Sequence, residues 1–154
     1  MRTGILLMVT GLVLSACGGQ PAFYASHSYA CCPEILANTT WHAGEKVVLH
    51  WQSTPAAMST DANPRKIVLT VILTGPYGSV DVLKEATSQG VKPAGVRTVN
   101  AAQISVDDRT FSSPMSQLHL PADLPPGYYN LATSAAGSGQ SAGASAVVSI
   151  VIGP

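Results

Sequence analysis

From residue 45 onward the chain alternates between apolar and polar positions with a period of two. In EKVVLHWQ (45–52), Val47, Leu49 and Trp51 take one side, while Lys46, His50 and Gln52 take the other. In KIVLTVILT (66–74), Ile67, Leu69, Val71 and Leu73 share one face, and Val68, Thr70, Ile72 and Thr74 share the second. Successive side chains of a strand point to opposite faces and β-branched residues suit a pleated surface, so both segments predict strands. GPYG (75–78) has turn chemistry, and SVDVLKEA (79–86) reads as the returning strand. Further strands are expected within 96–106, 115–121, 127–135 and 144–153. The last two are joined by AGSGQSAG (136–143), a small-residue loop suited to a hairpin end. No segment of ten or more residues keeps a helical period, so the pattern predicts an all-β sandwich or barrel of short strands separated by turns.

The beginning of the chain departs from this pattern. One cation, Arg2, precedes an uncharged and mostly apolar run from Gly4 to Ala16. As a helix this run spans roughly 20 Å at about 1.5 Å per residue, short of the roughly 30 Å of a hydrocarbon core. A short apolar core behind a basic start, ending in small residues, is the pattern of a secretory signal peptide. Nothing in the run supplies the polar face of an amphipathic helix.

The end of that run, Leu14-Ser15-Ala16-Cys17, resembles the lipobox of bacterial lipoproteins. The resemblance implies cleavage before Cys17 and acylation of its thiol by palmitate-type chains. It also implies a mature chain anchored at the cell membrane or outer membrane, facing outside the cytoplasm. One acyl chain binds a bilayer only marginally and stable anchoring takes more than one, which a di- or triacylated cysteine supplies. Gly18 stands where, by the same resemblance, an aspartate would favour retention at the inner membrane.

The expected organisation is therefore a signal peptide at 1–16, a lipidated flexible tether at 17–30, and one β domain at 31–154. The tether has Gly, Pro and Ser without a sustained period. Its Phe23, Tyr24 and Tyr29 are more aromatic than a linker needs, and are expected to dock on the domain rather than lie at the membrane interface. Residues 17–154 suffice for one domain with a real core but not for two. Only 10% of residues are charged and the formal net charge is zero. The cations Lys46, Arg65, Lys66, Lys84, Lys92, Arg97 and Arg109 are scattered, which argues against a nucleic-acid partner, whose phosphates require clustered positive charge.

One stretch sharpens the fold. LHLPADLPPGYYNLATS (118–134) resembles strand E, the corner and strand F of bacterial immunoglobulin-like domains. The resemblance implies that Tyr129 points inward after a Pro and Gly turn, with Leu131 continuing the inner face. The hydroxyl of a corner tyrosine bonds back to nearby backbone. The spacing from Asp123 to Tyr129 is looser than the family pattern, and the inter-sheet cysteines of antibody domains are absent. The expected fold class is all-β, an immunoglobulin-like antiparallel β-sandwich of about seven strands after a cleaved signal peptide.

Candidate chemistry is sparse. With Cys17 acylated, Cys31 and Cys32 are the remaining thiols in a compartment that favours disulfides. Adjacent Cα atoms lie about 3.8 Å apart across a trans peptide, below the usual range of about 4.4–6.8 Å for a disulfide. Three states stay open: a vicinal disulfide, inert thiols, or pairing with a metal or another molecule. His27 lies within six positions of the pair, and thiolate with imidazole suits Cu(I) or Zn(II), as the softer Met58 would suit copper. His42 and His50 follow in the next segments, His50 on a strand face typical of a surface histidine. Asp107-Asp108-Arg109 offers oxygens to calcium, but neighbouring side chains of a strand diverge, so a solvated turn is expected there. Asn38-Thr39-Thr40 fits a glycosylation sequon that a bacterial lipoprotein would not use, and Trp41 and Trp51 are expected in the core or at a sheet edge.

The sequence has no nucleophile elbow, phosphate loop, H-E-x-x-H motif or dinucleotide-binding glycine pattern. The expected role is a non-catalytic binding or structural module without a cofactor. Its partners would be the membrane, through the N-terminal lipid, and a protein or glycan ligand. Loops 53–64 and 136–143 are the candidate ligand sites, because end loops vary on a rigid scaffold. The alternative is copper or zinc binding, or redox handling, through Cys31, Cys32 and His27.

Overall fold

The computed structural model describes residues 21–35, 39–56, 58–137 and 140–152. The signal segment, Cys17 and Asn38 lie outside these residues.

The described residues form β1 (His27–Cys31), β2 (Thr39–His42), β3 (Lys46–Pro55), β4 (Lys66–Tyr77), α1 (Val80–Gln89), β5 (Arg97–Asn100), β6 (Ile104–Asp107), β7 (Met115–His119), β8 (Gly127–Gly137) and β9 (Gln140–Val151). A three-stranded sheet runs β1-β3-β7, and a six-stranded sheet runs β2-β9-β8-β4-β5 with β6 also on β4. Pairing is antiparallel except between β2 and β9, which run parallel.

The period of two does what it predicts. Val47, Leu49 and Trp51 from β3 and Leu118 from β7 meet Leu69, Val71 and Leu73 from β4, and Tyr129, Leu131, Val148 and Ile150 from β8 and β9, in one core. Burying a side chain of that size contributes about 1.5–3 kcal/mol. Trp41 and Trp51 both lie in this core, and the Trp51 indole N–H donates to the buried Ser116 hydroxyl at 2.9 Å. The molecule is an all-β, two-sheet assembly of nine strands among the described residues, rather than about seven. The segment 96–106 divides into β5 and β6, and β1 and β2 add to the expected set.

The strand expected at 79–86 is instead the first part of α1. Ser79 is the N-cap, its hydroxyl accepting from the Val82 N–H at 3.2 Å, and Gly90 closes the helix in the left-handed region at φ 65°. Between the caps, Val80, Leu83 and Ala86 recur at helical spacing. Leu83 and Ala86 pack with Tyr77, Val96 and Val147 in a second, smaller cluster. The alternation Val80-Asp81-Val82 extends over too few residues to compete with two good caps.

The turn expected at GPYG is also displaced. Gly75 and Pro76, joined by a cis peptide, stay within β4, whose register against β8 shifts between Thr74 and Tyr77. The absence of a side chain at Gly75 is required, since a Cβ there would lie 2.6 Å from Tyr129 Cγ and 2.8 Å from the Tyr128 carbonyl oxygen.

The tether expected at 17–30 does not hold for its last residues. β1 pairs with β3 from His27↔Pro55 to Cys31↔Trp51, Tyr29 is buried in the core, and Tyr24 bridges Ser59. Tyr29 points inward between outward Ser28 and Ala30. This is a real period of two, masked in the sequence by small residues.

The strand directions sort the loops to two ends. The N-terminal segment, the β3–β4 and β6–β7 loops and the closed end of the β8–β9 hairpin share one end. The β2–β3 turn, the start of α1, the β7–β8 corner and the end of β9 share the other.

Candidate functional site

The two sheets part where β1, an edge strand, faces the β8–β9 hairpin. The opening is a groove with a cavity of ≈ 180 Å³ beside His27, Tyr29, Arg65, Asp108, Ala135 and Ala142. It continues into a depression of ≈ 100 Å³ between Cys31 and Trp51 on one side and Thr133, Gly143 and Ala144 on the other. The cause is local sequence. At the inward parity of this hairpin stand Thr133, Ala135, Ala142 and Ala144, where bulkier residues would close the gap. The candidate loop 53–64 reaches this groove through Ala56, whereas the loop expected at 136–143 is instead mostly the paired end of the β8–β9 hairpin and reaches it through the strand residues Gly137, Ser141 and Ala142.

The edge of β1 has an orientation set by its ladder. The Ala56 N–H donates to the Ser26 carbonyl at 2.8 Å, and the Cys32 N–H to the His50 carbonyl at 3.2 Å. Bonding positions alternate in an antiparallel pair, so the even-numbered residues turn their backbone groups to β3 and His27, Tyr29 and Cys31 turn theirs outward. The His27 N–H donates to the Asp108 carbonyl at 2.7 Å. Among the described residues, no strand pairs with β1 on that side.

A polar cluster holds the groove's upper end. Asp107 matches the expected turn, accepting from the N–H groups of Arg109 at 2.9 Å and Thr110 at 2.7 Å and from the Thr110 hydroxyl at 3.0 Å. The Thr110 bonds, first its hydroxyl, hold the Asp107 carboxyl below the ordinary aspartate range. Asp108 is not solvated as the turn reading implied. It is buried, accepts from the Arg65 N–H at 2.8 Å and lies 3.6 Å from Arg109 Nε. The Arg109 guanidinium donates to the carbonyls of Ala25 and Asp61 and sits 4.9 Å over the Tyr24 ring. The Tyr29 hydroxyl donates to the Thr110 carbonyl at 3.0 Å. The N-terminal segment is thereby clamped to two loops.

The cysteines take the first of the three open states. Cys31 and Cys32 are joined by a disulfide, with Cα atoms 3.6 Å apart. The pair sits where the chain leaves the small sheet, since the next strand, β2, joins the large one. Cys32 is buried, with φ 75°. Just beyond, Glu34 accepts from the His50 N–H at 2.9 Å and approaches its ring nitrogen at 3.1 Å. Partial burial opposes the Glu34 charge, but the His50 bonds outweigh it and hold the carboxyl below the ordinary glutamate range.

The proposed ligand set does not assemble. Four residue steps of extended strand, roughly 13 Å, carry the chain from His27 to Cys31. The His27 ring instead lies 3.3 Å from the Asp108 carbonyl and packs edge-on to Phe111 at 5.7 Å. Among the described residues, no group of three or more His, Cys, Asp or Glu side chains is placed to hold a metal ion. His42 and His50 are exposed strand residues, and Met58 is exposed in the β3–β4 loop. Arg65, Thr133, Ala135 and Ala144 fall outside the residues the sequence singles out, whereas Asp108 is expected only in a solvated turn and Ala142 only within the 136–143 loop. The legible signal was the run of Ala, Ser, Thr and Gly at alternate positions of two paired strands.

No protein-family model matches the chain, and no curated protein matches its sequence. Among solved structures it is similar to a family 123 glycoside hydrolase from Clostridium perfringens described in terms of glycolipid glycan hydrolysis, at 11% identity and a TM-score of 0.42. The likeness covers 82% of this chain and 27% of the hydrolase.

Proposed function

We propose that this chain is a membrane-anchored, extracytoplasmic lipoprotein whose immunoglobulin-like sandwich is a non-catalytic binding module. Its site is the open edge of β1, and its partner contributes an extended protein segment. The observation that carries this reading is the outward backbone of Tyr29 and Cys31 beside a groove kept open by Ala135, Ala142 and Ala144. An added strand gains main-chain hydrogen bonds from such an edge, while the flanking recess selects side chains. The lipobox resemblance at Leu14–Cys17 supports the anchor. The immunoglobulin-like assignment is supported by the strand order, with β1 and β2 split between the sheets, and by the corner tyrosine Tyr129. The function requires neither cofactor nor nucleic acid.

The test places a benzophenone side chain at Ala142 in the full chain, expressed in its own envelope. A discrete protein adduct is expected there, absent at Gln117 on the exposed face of β7 and lost when Ala144→Arg fills the groove. Adducts equal at both sites, or none at Ala142, refute the edge as the binding site. Intact mass lacking residues 1–16 and carrying acyl groups on Cys17 is the expected result for the anchor.

A second reading, redox handling through Cys31 and Cys32, is favoured by the disulfide itself. It requires that a dithiol reductant open the bond without unfolding the domain, and that the double variant Cys31→Ser, Cys32→Ser lose function. Full function in that variant removes it.

A further inference from the structure

We infer that the end of the sandwich bearing Phe23, Tyr24, Met58 and Phe111 lies against the lipid bilayer surface, an inference that rests on the lipid-anchor reading of Cys17. These four side chains are among the large exposed hydrophobics of one end: Phe111 is 70% exposed, Met58 61% and Phe23 60%, with Tyr24 at 38%. They form one structural unit. Tyr24 bridges Ser59, the neighbour of Met58, through backbone bonds of 2.8 and 2.9 Å. Arg109, two residues before Phe111, reaches the Tyr24 ring and the carbonyls of Ala25 and Asp61. Phe111 itself packs on His27 at the start of β1. Tyr29, by contrast, docks into the core, so the aromatics of the N-terminal segment divide between the two roles open to them.

Chain length chooses the occupant. Phe23 is six residue steps from Cys17, a span of at most about 22 Å when fully extended. A twelve-residue strand such as β4 is about 40 Å long at about 3.3 Å per residue. An acylated Cys17 therefore keeps this end near the headgroups and leaves the far end, with Ile152, pointing away. Aromatic side chains favour the interface between headgroups and acyl chains, and an exposed apolar patch of this kind marks a contact surface. Charge contributes little: Arg65 lies 3.9 Å from Asp61 and Arg109 3.6 Å from Asp108, and the exposed Lys66 stands opposite Asp107 in the β4–β6 register. The contact is apolar, and it places the mouth of the β1 groove beside the membrane.

The experiment uses the acylated mature chain in phosphatidylcholine vesicles, with and without lipids brominated on the acyl chains. Two variants are compared, Phe111→Trp at this end and Ile152→Trp at the other, where Ile152 is 72% exposed. The native Trp41 and Trp51 are buried and give a constant background. Brominated lipid is expected to quench the added emission at position 111 and not at 152, with no dependence on salt. Equal quenching at both positions, or none at 111 in a chain whose mass shows the acyl groups, overturns the orientation while leaving the anchor standing. Loss of quenching at 111 together with concentration-dependent self-association assigns the patch to a second copy and also overturns it. A chain with no acyl mass on Cys17 overturns anchor and orientation together.

Discussion

The Tyr129 hydroxyl donates to the carbonyl of Pro125, four residues upstream, at 2.7 Å. This bond ties the start of β8 to the corner that carries the chain across from the small sheet. The ring fills the core with no solvent exposure, in space that Gly75 leaves on the neighbouring strand.

Replacing the hydroxyl, in Tyr129→Phe, is expected to destabilise the domain by about 1 kcal/mol, the net worth of one hydrogen bond, read by urea unfolding. The pH dependence is more specific. Burial pushes the phenol from 10.0 up to about 12, against a smaller opposite pull from Arg97. The unfolded chain therefore loses this proton first as pH rises. Stability from this group is complete below pH 10.0 and is lost as pH climbs through about 12. The advantage of the native chain over Tyr129→Phe should accordingly shrink above pH 10.0. A gap that stays constant through the alkaline range contradicts this account.

The same geometry predicts that Gly75→Ala is among the costlier small substitutions. The new Cβ meets the Tyr129 ring and the Tyr128 carbonyl, and neither is the end of a flexible chain. Overpacking a filled site typically costs about 1–3 kcal/mol. Gly78→Ala, three residues on with nothing within 4 Å of its Cβ position, is the control and should unfold at nearly the native urea midpoint.

Between the sheet partners β3 and β7, Ser116→Ala leaves the buried Trp51 N–H without its acceptor. An unsatisfied buried donor costs about 1–3 kcal/mol. Trp51→Phe removes the donor but also loses ring volume. A double-mutant cycle separates the two effects: the serine should matter much less once the indole is gone. Additive losses would mean that the hydrogen bond contributes nothing.

Where the sequence was readable, and where it was not, follows from which force dominated locally. Val47, Leu49 and Trp51, like Leu69, Val71 and Leu73, alternate large apolar with polar residues, so one buried face fixes both strand and register. Tyr129 was legible because the corner joins turn chemistry to an inward aromatic. α1 was missed because its signal lies in Ser79 and Gly90, the two caps, while its interior shows a brief false alternation. β1 was missed because Ser28 and Ala30 flank Tyr29 with residues too small to declare a face. The groove was illegible for a related reason: it is made by what Ala135, Ala142 and Ala144 lack. The buried Asp108 depends on a contact with the Arg65 N–H that the β4–β6 pairing brings to it, a pairing absent from the local sequence.

Arg109 supplies the last prediction, because one guanidinium secures three pieces of chain. It donates to the carbonyls of Ala25 and Asp61, lies over the Tyr24 ring, and faces the buried Asp108 carboxylate. Hydrogen bonds to a charged group contribute about 1.5–3 kcal/mol, and each 1.4 kcal/mol or so is about tenfold in an equilibrium. In Arg109→Ala, amide exchange at Tyr24 and Ser59, whose backbone bonds bridge these segments, should accelerate at least about tenfold. Amides in the middle of β4 and β8 should keep their protection, since those strands pair with each other independently of the clamp. Arg109→Lys tests what the clamp consists of. Lysine keeps the charge beside Asp108 but lacks the planar fork that serves two carbonyls at once, so it should restore overall stability more than it restores protection at Tyr24. If both variants loosen the central strands as much as the N-terminal segment, then the segment is part of the cooperative core and Arg109 is an ordinary core support.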